Sequence, residues 1–112
     1  MPKQISKRGA LRFDGLKRPV RYKTEFEDGQ AYIVNISTSG CALEQATVEF
    51  TERERILLTI TFDSPDDTIE IQAKVVRAGQ ETTGLKFQRV SEVNKQRILH
   101  FFASLAREQR TR

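Results

Sequence analysis

Two arginines near the N-terminus and a short polar motif further along the chain are the residues best suited to bind a ligand. The arginines are Arg8 and Arg12, and the motif contributes Asn35, Ser37 and Gly40. A guanidinium group is planar and permanently charged, so it pairs bidentately with a phosphate or with guanine O6 and N7, and it also stacks on a base. Two such groups would suit a ligand with two phosphates and two purines.

The polar motif adds neutral recognition to this charge. Asn35 and Ser37 are two residues apart, so on a β-strand their side chains lie on the same face. Gly40 has no side chain, and we expect it to let a bulky ligand approach the backbone where another residue would obstruct it. Each half of the pattern is weak by itself, but the order and spacing of the two halves make the combination more specific.

The two segments Arg8-Gly9-Ala10-Leu11-Arg12 and Asn35-Ile36-Ser37-Thr38-Ser39-Gly40 together resemble the signature of the PilZ domain family, Arg-x-x-x-Arg followed by Asp/Asn-x-Ser-x-x-Gly. Residues 19–22 are similar to the first strand of the family, and residues 73–77 and 84–87 are similar to its last long hairpin. With the final helix included, the resemblance covers residues 7 to 106.

The resemblance implies a fold, a ligand and a role for each motif residue. Family members that keep both halves of the signature typically bind the bacterial second messenger cyclic di-GMP. Arg8 and Arg12 would then grip phosphates or guanine edges, while Asn35 and Ser37 hydrogen bond to a guanine or to the ligand backbone. An aspartate would accept from guanine N1–H and N2–H together, whereas the Asn35 amide has one acceptor oxygen, so binding could be weaker or differently oriented.

Three further basic residues are secondary candidates for the ligand: Lys7, Arg18 and Arg77. Arg77 lies near the end of a predicted strand, beside the last hairpin, where its guanidinium could cover the face of a guanine. For a single arginine of this kind, a solvated surface position is the competing interpretation.

The composition indicates one domain with a single core, because the chain has 112 residues. No segment reaches the roughly 18 consecutive apolar residues of a membrane span, and the N-terminus has no apolar run typical of a secretory signal. We therefore expect a cytoplasmic protein without membrane insertion. Cys41 is the single cysteine and His100 the single histidine, so we predict a small core residue at Cys41, no zinc site and no cofactor.

The positive charge is concentrated at the N-terminus. Residues 1–23 contain eight basic residues against Asp14 alone, a net charge of +7. Residues 24–106 contain 8 basic and 13 acidic residues, a net charge of −5, and residues 107–112 carry +2. This asymmetry indicates a localised anion-binding segment. We accordingly divide the chain into a flexible arm, residues 1–16, a barrel with its helix, residues 17–106, and a basic tail, residues 107–112.

Alternation of apolar and polar residues predicts six β-strands. A first strand extends from Pro19 to Phe26 and is followed by a hairpin turn at Glu27-Asp28-Gly29-Gln30. The remaining strands are predicted at residues 31–36, 41–43, 56–62, 68–76 and 82–87. The resulting architecture is mainly β: a small antiparallel six-stranded β-barrel, which is also the fold that the resemblance implies.

The periodicity changes to that of a helix after the last strand. Ser91 is the predicted N-cap, and an apolar stripe at helical spacing follows through about residue 106. The stripe consists of Ile98, Phe101, Phe102 and Leu105. We expect it to pack onto an open end or side of the barrel, so the complete fold has a C-terminal α-helix and a flexible basic N-terminal arm.

No catalytic motif is apparent, and we predict a binding protein rather than an enzyme. The leading hypothesis is a cyclic di-GMP receptor whose arm folds over the nucleotide and creates a surface for a partner protein. One alternative is a PilZ-fold interaction domain with little ligand affinity, which Asn35 leaves open. Another is a small basic β-barrel that binds RNA or single-stranded nucleic acid, although most aromatic residues occupy predicted core positions, which leaves few to stack on bases.

Overall fold

The computed structural model describes residues 11–110, with side chains described as far as Glu108. Six strands and one helix follow one another along the chain: β1 Arg18–Lys23, β2 Asp28–Ile36, β3 Gly40–Glu44, β4 Arg55–Thr61, β5 Thr68–Ala78, β6 Thr82–Gln88 and α1 Glu92–Arg110. All strand pairs are antiparallel, and the order β1-β2-β3-β6-β5-β4 closes into a barrel because β1 also pairs with β4. The predicted six-stranded barrel with a C-terminal helix is confirmed.

The core fills the interior of the barrel. Alternate residues of the long strands point inward, and Leu58, Ala73 and Val75 are fully buried there. Cys41 is buried on β3, as predicted from the alternation, and desolvation raises the pKa of its thiol above the ordinary range. A thiol held in this way is inert and acts as a small apolar side chain.

Helix α1 covers one end of the barrel with the predicted apolar stripe. Ile98 and Phe102 are buried in the core, and Phe101 packs against Phe62 with ring centroids 5.0 Å apart. The predicted N-cap is also confirmed, since Ser91 Oγ accepts a hydrogen bond from the backbone N–H of Asn94 at 3.1 Å. The helix extends to Arg110, beyond the end predicted near residue 106. Among the described residues, no helix has the length and apolar character needed to cross a membrane.

The first hairpin differs from its prediction. Strand β1 ends at Lys23, and the turn lies at residues 24–27 because Thr24 Oγ1 accepts hydrogen bonds from the N–H groups of Phe26 and Glu27 at 3.2 and 3.0 Å. Phe26, predicted to be on the buried face of a strand, is 86 % exposed in this turn. Gly29 belongs to β2 instead of the turn.

Tyr22 on β1 contacts both β2 and the loop that follows β3. It pairs with Gly29 across the strands, and a side chain at Gly29 would overlap the tyrosine ring. The Tyr22 hydroxyl donates to the carbonyl of Val48 at 2.8 Å and accepts from the N–H of Val48 at 3.1 Å. A buried aromatic ring thus attaches the long connection between β3 and β4 to the barrel wall.

Candidate functional site

The segment before β1 brings Arg12 to the polar motif. The N–H of Phe13 donates to the carbonyl of Ile36 at 2.8 Å, and the N–H of Ile36 donates to the carbonyl of Phe13 at 3.0 Å. This isolated pair is antiparallel, so the register places Arg12 opposite Ser37. Arg12 is exposed at this position, and its guanidinium is available to a ligand.

A second backbone contact fixes the same segment, because the N–H of Leu16 donates to the carbonyl of Val34 at 3.0 Å. The segment is therefore held on β2 from Phe13 onward. We therefore restrict the flexibility predicted for residues 1–16 to the residues before Phe13, for which it stays a prediction. Of these, residues 1–10 lie outside the described residues, and with them the predicted ligand residues Lys7 and Arg8.

The hairpin between β2 and β3 is shaped by the hydroxyl of Ser37. The backbone N–H of Ser37 donates to the carbonyl of Gly40 at 2.8 Å, and Ser37 Oγ accepts from the N–H of Ser39 at 3.1 Å. The two serine hydroxyl oxygens are 3.0 Å apart. Ser37 thus has a local role in the turn that the sequence analysis did not include.

Gly40 is required by the contact between two strands. It pairs with Lys86 across β3 and β6, and a Cβ atom built on it would overlap the carbonyl oxygen of Leu85. The fold therefore requires a glycine at this position, because any side chain would overlap the neighbouring strand. The space for a ligand that we predicted at Gly40 stays a separate prediction.

Two β-bulges align a row of residues on the outer face of the barrel. The register of β2 against β3 shifts just before Asn35, and that of β5 against β6 shifts just before Arg77. After these shifts, Asn35 pairs with Ala42, Ala42 with Gly84, and Gly84 with Arg77. Bulges redirect side chains and are frequent next to functional sites. Here they place an amide and a guanidinium at the two ends of one row.

The centre of this row is a shallow shelf. Ala42 and Gly84 are both buried and carry almost no side chain, and the Arg77 guanidinium lies above Gly84, with Cζ 3.7 Å from a Cβ built there. The side-chain amide of Asn35 has no hydrogen-bond partner among the described residues. Because Arg77 already covers Gly84, a planar group binding here would contact the outer face of the Arg77 guanidinium, with the Asn35 amide at the other end of the row.

Three residues of this surface were not identified from the sequence: Ala42, Gly84 and Lys86. The signal that could have found them is Gly84, since a glycine inside a strand pattern often marks close approach of a ligand or another backbone. Lys86 adds a cation beside Gly40, because the two residues are paired directly. Asp14, opposite Asn35 in the register of the Phe13 pair, adds one carboxylate.

Arg18, a secondary candidate from the sequence, is engaged elsewhere. Its Nη2 atom donates to the carbonyls of Thr61 and Phe62 at 3.1 and 3.3 Å, and its guanidinium lies 4.7 Å from the centroid of the Phe101 ring. These contacts attach α1 to the barrel wall. Arg18 therefore has a structural role, whereas Arg77 lies in the same surface as Asn35 and Ser37.

The arrangement suits binding rather than catalysis. Its charged side chains are mainly the cations of two arginines and a lysine. The described residues include no cluster of three or more histidines, cysteines or carboxylates that could hold a metal ion. Cations around a small apolar floor favour an anionic ligand with a flat, hydrogen-bonding ring. A phosphorylated purine has these properties.

The fold and this surface define a class of ligand-binding β-barrel, and comparison with known families identifies it. The PilZ domain model matches residues 6–104, so the chain belongs to the PilZ domain family. The family consists of receptor domains for cyclic di-GMP, which are not enzymes and hold no cofactor. A comparison with curated protein sequences gave no match.

Solved structures share the fold. The PilZ domain of CeSA from a cellulose-synthesizing bacterium superposes with a TM-score of 0.63 at 13% identity, covering 83% of this chain and 96% of that one. The Bacillus subtilis inhibitor of motility MotI/DgrA gives a TM-score of 0.70 at 24% identity, covering 96% of this chain, which spans only 55% of the Bacillus protein. An uncharacterized Legionella protein gives 0.56 at 16% identity, with coverage of 89% and 98%.

Proposed function

We propose that this protein is a cyclic di-GMP receptor that signals to a partner protein through a change in its N-terminal arm. The observation that carries the proposal is the position of Arg12 opposite Ser37. This pairing supports the proposal because it brings Arg12, the second arginine of the signature, next to the Asn-x-Ser motif and the row from Asn35 to Arg77.

Each group has a role that follows from its chemistry. Arg12 neutralises a phosphate or pairs with a guanine edge, and Lys86 adds positive charge on the other side of Gly40. The Asn35 oxygen accepts from a guanine N–H, and the Arg77 guanidinium, which covers Gly84, stacks on a purine through its outer face. The ligand thereby replaces solvent at groups that have no partner within the barrel.

The arm supplies the change of state. Residues 1–23 carry a net charge of +7, and a ligand with two phosphates offsets part of the repulsion among these charges. Arg8 and Lys7 precede Arg12 by one short segment, so they reach the same nucleotide when the arm closes over it. Closure gives a partner protein a surface that exists only in the liganded state. A cytoplasmic location belongs to this proposal.

Calorimetric titration with cyclic di-GMP tests the proposal directly. We expect a dissociation constant in the micromolar range or tighter, which corresponds to a binding free energy of about −8 kcal/mol or better. Two arginines and an amide supply several hydrogen bonds, some of them charge-assisted. GTP and a short RNA serve as controls and should bind far more weakly. Absence of heat at high micromolar cyclic di-GMP would leave a PilZ-fold interaction domain without the ligand.

A further inference from the structure

A row of basic side chains continues from the ligand site across three strands. Gly40 pairs with Lys86 on β6, Lys86 with Lys74 on β5, and Lys74 with Arg55 on β4. Directly opposed residues of an antiparallel sheet have Cβ atoms about 4.5–5.5 Å apart. Lys86, Lys74 and Arg55 therefore stand side by side on the outer face, and we call them the cationic row.

The cationic row lacks compensating charge. Among the described residues, no carboxylate is close enough to form an ion pair with any of its three members, and the ion pairs that do occur join Arg97 to Asp67 and Lys95 to Glu92. Like charges directly opposite each other destabilise a sheet. Three adjacent cations without counter-charge are thus unfavourable in the isolated domain and complementary to an anionic partner.

A depression of about 490 Å³ lies beside the row and gives it an apolar element. Lys74, Lys86 and Val76 contribute to its lining, and Val76 is 56% exposed because it occupies the bulge of β5. Arg53 and one carboxylate, Glu52, also line it, so cations outnumber the single acidic group. An occupant of this surface meets mainly positive charge and one uncovered apolar side chain.

We propose that the cationic row and Val76 bind an acidic amphipathic helix of a partner protein. Residues three or four positions apart on a helix have Cβ atoms about 5–6 Å apart, which is close to the Cβ spacing between neighbouring members of the row, so glutamates at these positions would face successive cations. An apolar residue on the same helix face would cover Val76. The inference rests on the proposed function in one respect, namely that a receptor domain must contact a partner.

A nucleic acid fits this surface less well. Single-stranded nucleic acids bind through aromatic side chains on which bases stack, in addition to positive charge. In residues 11–108, the exposed large apolar side chains are Leu11, Phe26, Val76 and Val93, and Val76 is the member of this set that lines the depression. The surface therefore offers charge and one aliphatic contact, without a stacking platform.

The test uses a fluorescently labelled, alanine-based helical peptide of about 18 residues, long enough to form a stable helix. It carries Glu at successive three- and four-residue intervals on one face, with one Leu among them. Fluorescence anisotropy measures its binding to the nucleotide-free full-length protein. The site variant is Arg55→Glu with Lys74→Glu, and the matched control is Arg21→Glu with Arg107→Glu, which has the same net charge change away from the row.

We expect wild type to bind the peptide, with affinity reduced at least about tenfold in the site variant and less than about threefold in the control. The site variant should melt near the wild-type temperature, because it keeps like charges opposed at positions 55 and 74 but places a glutamate at position 74 opposite Lys86. Its affinity for cyclic di-GMP should stay within about threefold of that of the control variant, since Arg55 and Lys74 lie outside the ligand site and both variants change the net charge equally. Peptide binding without nucleotide binding would support the docking surface and contradict only the receptor proposal.

Three results would overturn the docking surface. The first is no peptide binding by the wild-type protein, and the second is equal loss of affinity in the site and control variants, which would indicate nonspecific charge. The third is tighter binding of a short single-stranded RNA than of the peptide, lost in the site variant, because the surface would then belong to a nucleic acid.

Discussion

Phe13 and Ile36 exchange two backbone hydrogen bonds, at 2.8 and 3.0 Å, and the same phenylalanine stacks on Phe102 of α1 with ring centroids 6.2 Å apart. One residue therefore connects the arm both to the barrel and to the helix that covers it. Because Arg12 immediately precedes Phe13, any movement of Arg12 on ligand binding acts on a residue in contact with the core. In the proposed function, this pair would be the physical route from the nucleotide to α1.

Arg12→Ala should weaken cyclic di-GMP binding by about 1.5–3 kcal/mol, because it removes charge-assisted hydrogen bonds to the ligand. Its melting temperature should stay near that of wild type, since the side chain is exposed. We expect the same of Arg8→Ala. Calorimetry measures both variants against Arg21→Ala, an exposed arginine on β1 outside the site. Equal affinity in Arg12→Ala and wild type would remove Arg12 from the site.

Gly40→Ala should lower the free energy of unfolding by roughly 1–3 kcal/mol, because its Cβ would overlap the carbonyl of Leu85 and push β3 away from β6. Gly84→Ala is the control, since a Cβ there meets Arg77 at an ordinary 3.7 Å. Urea denaturation measures both, and calorimetry measures their affinity. A Gly40→Ala protein as stable as wild type but impaired in binding would show that the glycine serves the ligand alone.

Arg77→Ala should reduce affinity for cyclic di-GMP by about 0.5–2 kcal/mol, because a guanidinium above Gly84 is lost as a stacking surface. Arg77→Lys should restore little of this affinity, since an ammonium group has no planar face. Stability should change little in either variant because Arg77 is exposed. If the lysine variant binds like wild type, Arg77 contributes charge without stacking.

Tyr22→Phe should destabilise the apoprotein by about 1–2 kcal/mol, because both hydrogen bonds to Val48 are lost and the Val48 groups remain partly buried. Desolvation raises the pKa of Tyr22 above its ordinary value of 10.0. The folded state then holds the phenol proton more tightly than the unfolded state. The contribution of the protonated Tyr22 hydroxyl to the free energy of unfolding is therefore complete below pH 10.0 and is lost as pH rises further. Urea denaturation curves should show that the difference in free energy of unfolding between the variant and wild type becomes smaller in that alkaline range.

Two parts of the arm should differ in their protection from hydrogen exchange. The amides of Phe13 and Leu16 should be protected without ligand, because they donate to Ile36 and Val34. Amides of residues 3–12 should gain protection only with cyclic di-GMP, and the affinity should fall as salt rises because the contacts are charged. Strong protection of residues 3–12 in the ligand-free protein would contradict the switch, even if binding were confirmed.

The sequence by itself determined the chemistry of the side chains and the order and type of the secondary-structure elements, although not the first hairpin turn. Burial alternates every second residue on a strand and follows 3.6-residue periodicity on a helix, so the positions of Cys41, Ile98 and Phe102 in the core could be predicted from neighbouring residues alone. The Ser91 cap could also be predicted from local sequence, because serine is a preferred N-cap residue. Candidate residues for binding a phosphate or a guanine could also be named from the sequence, because charge and hydrogen-bonding capacity belong to the side chain itself.

Only the tertiary structure decided which of these groups meet. The shelf exists because bulges before Asn35 and Arg77 set the register between segments far apart in the chain, and no local pattern encodes that register. The same limit applies to Gly40, whose constraint comes from Leu85, and to Arg18, which is held by Phe101 and not by the ligand site. Contacts between distant strands depend on the closure of the whole barrel, which a short sequence window does not contain.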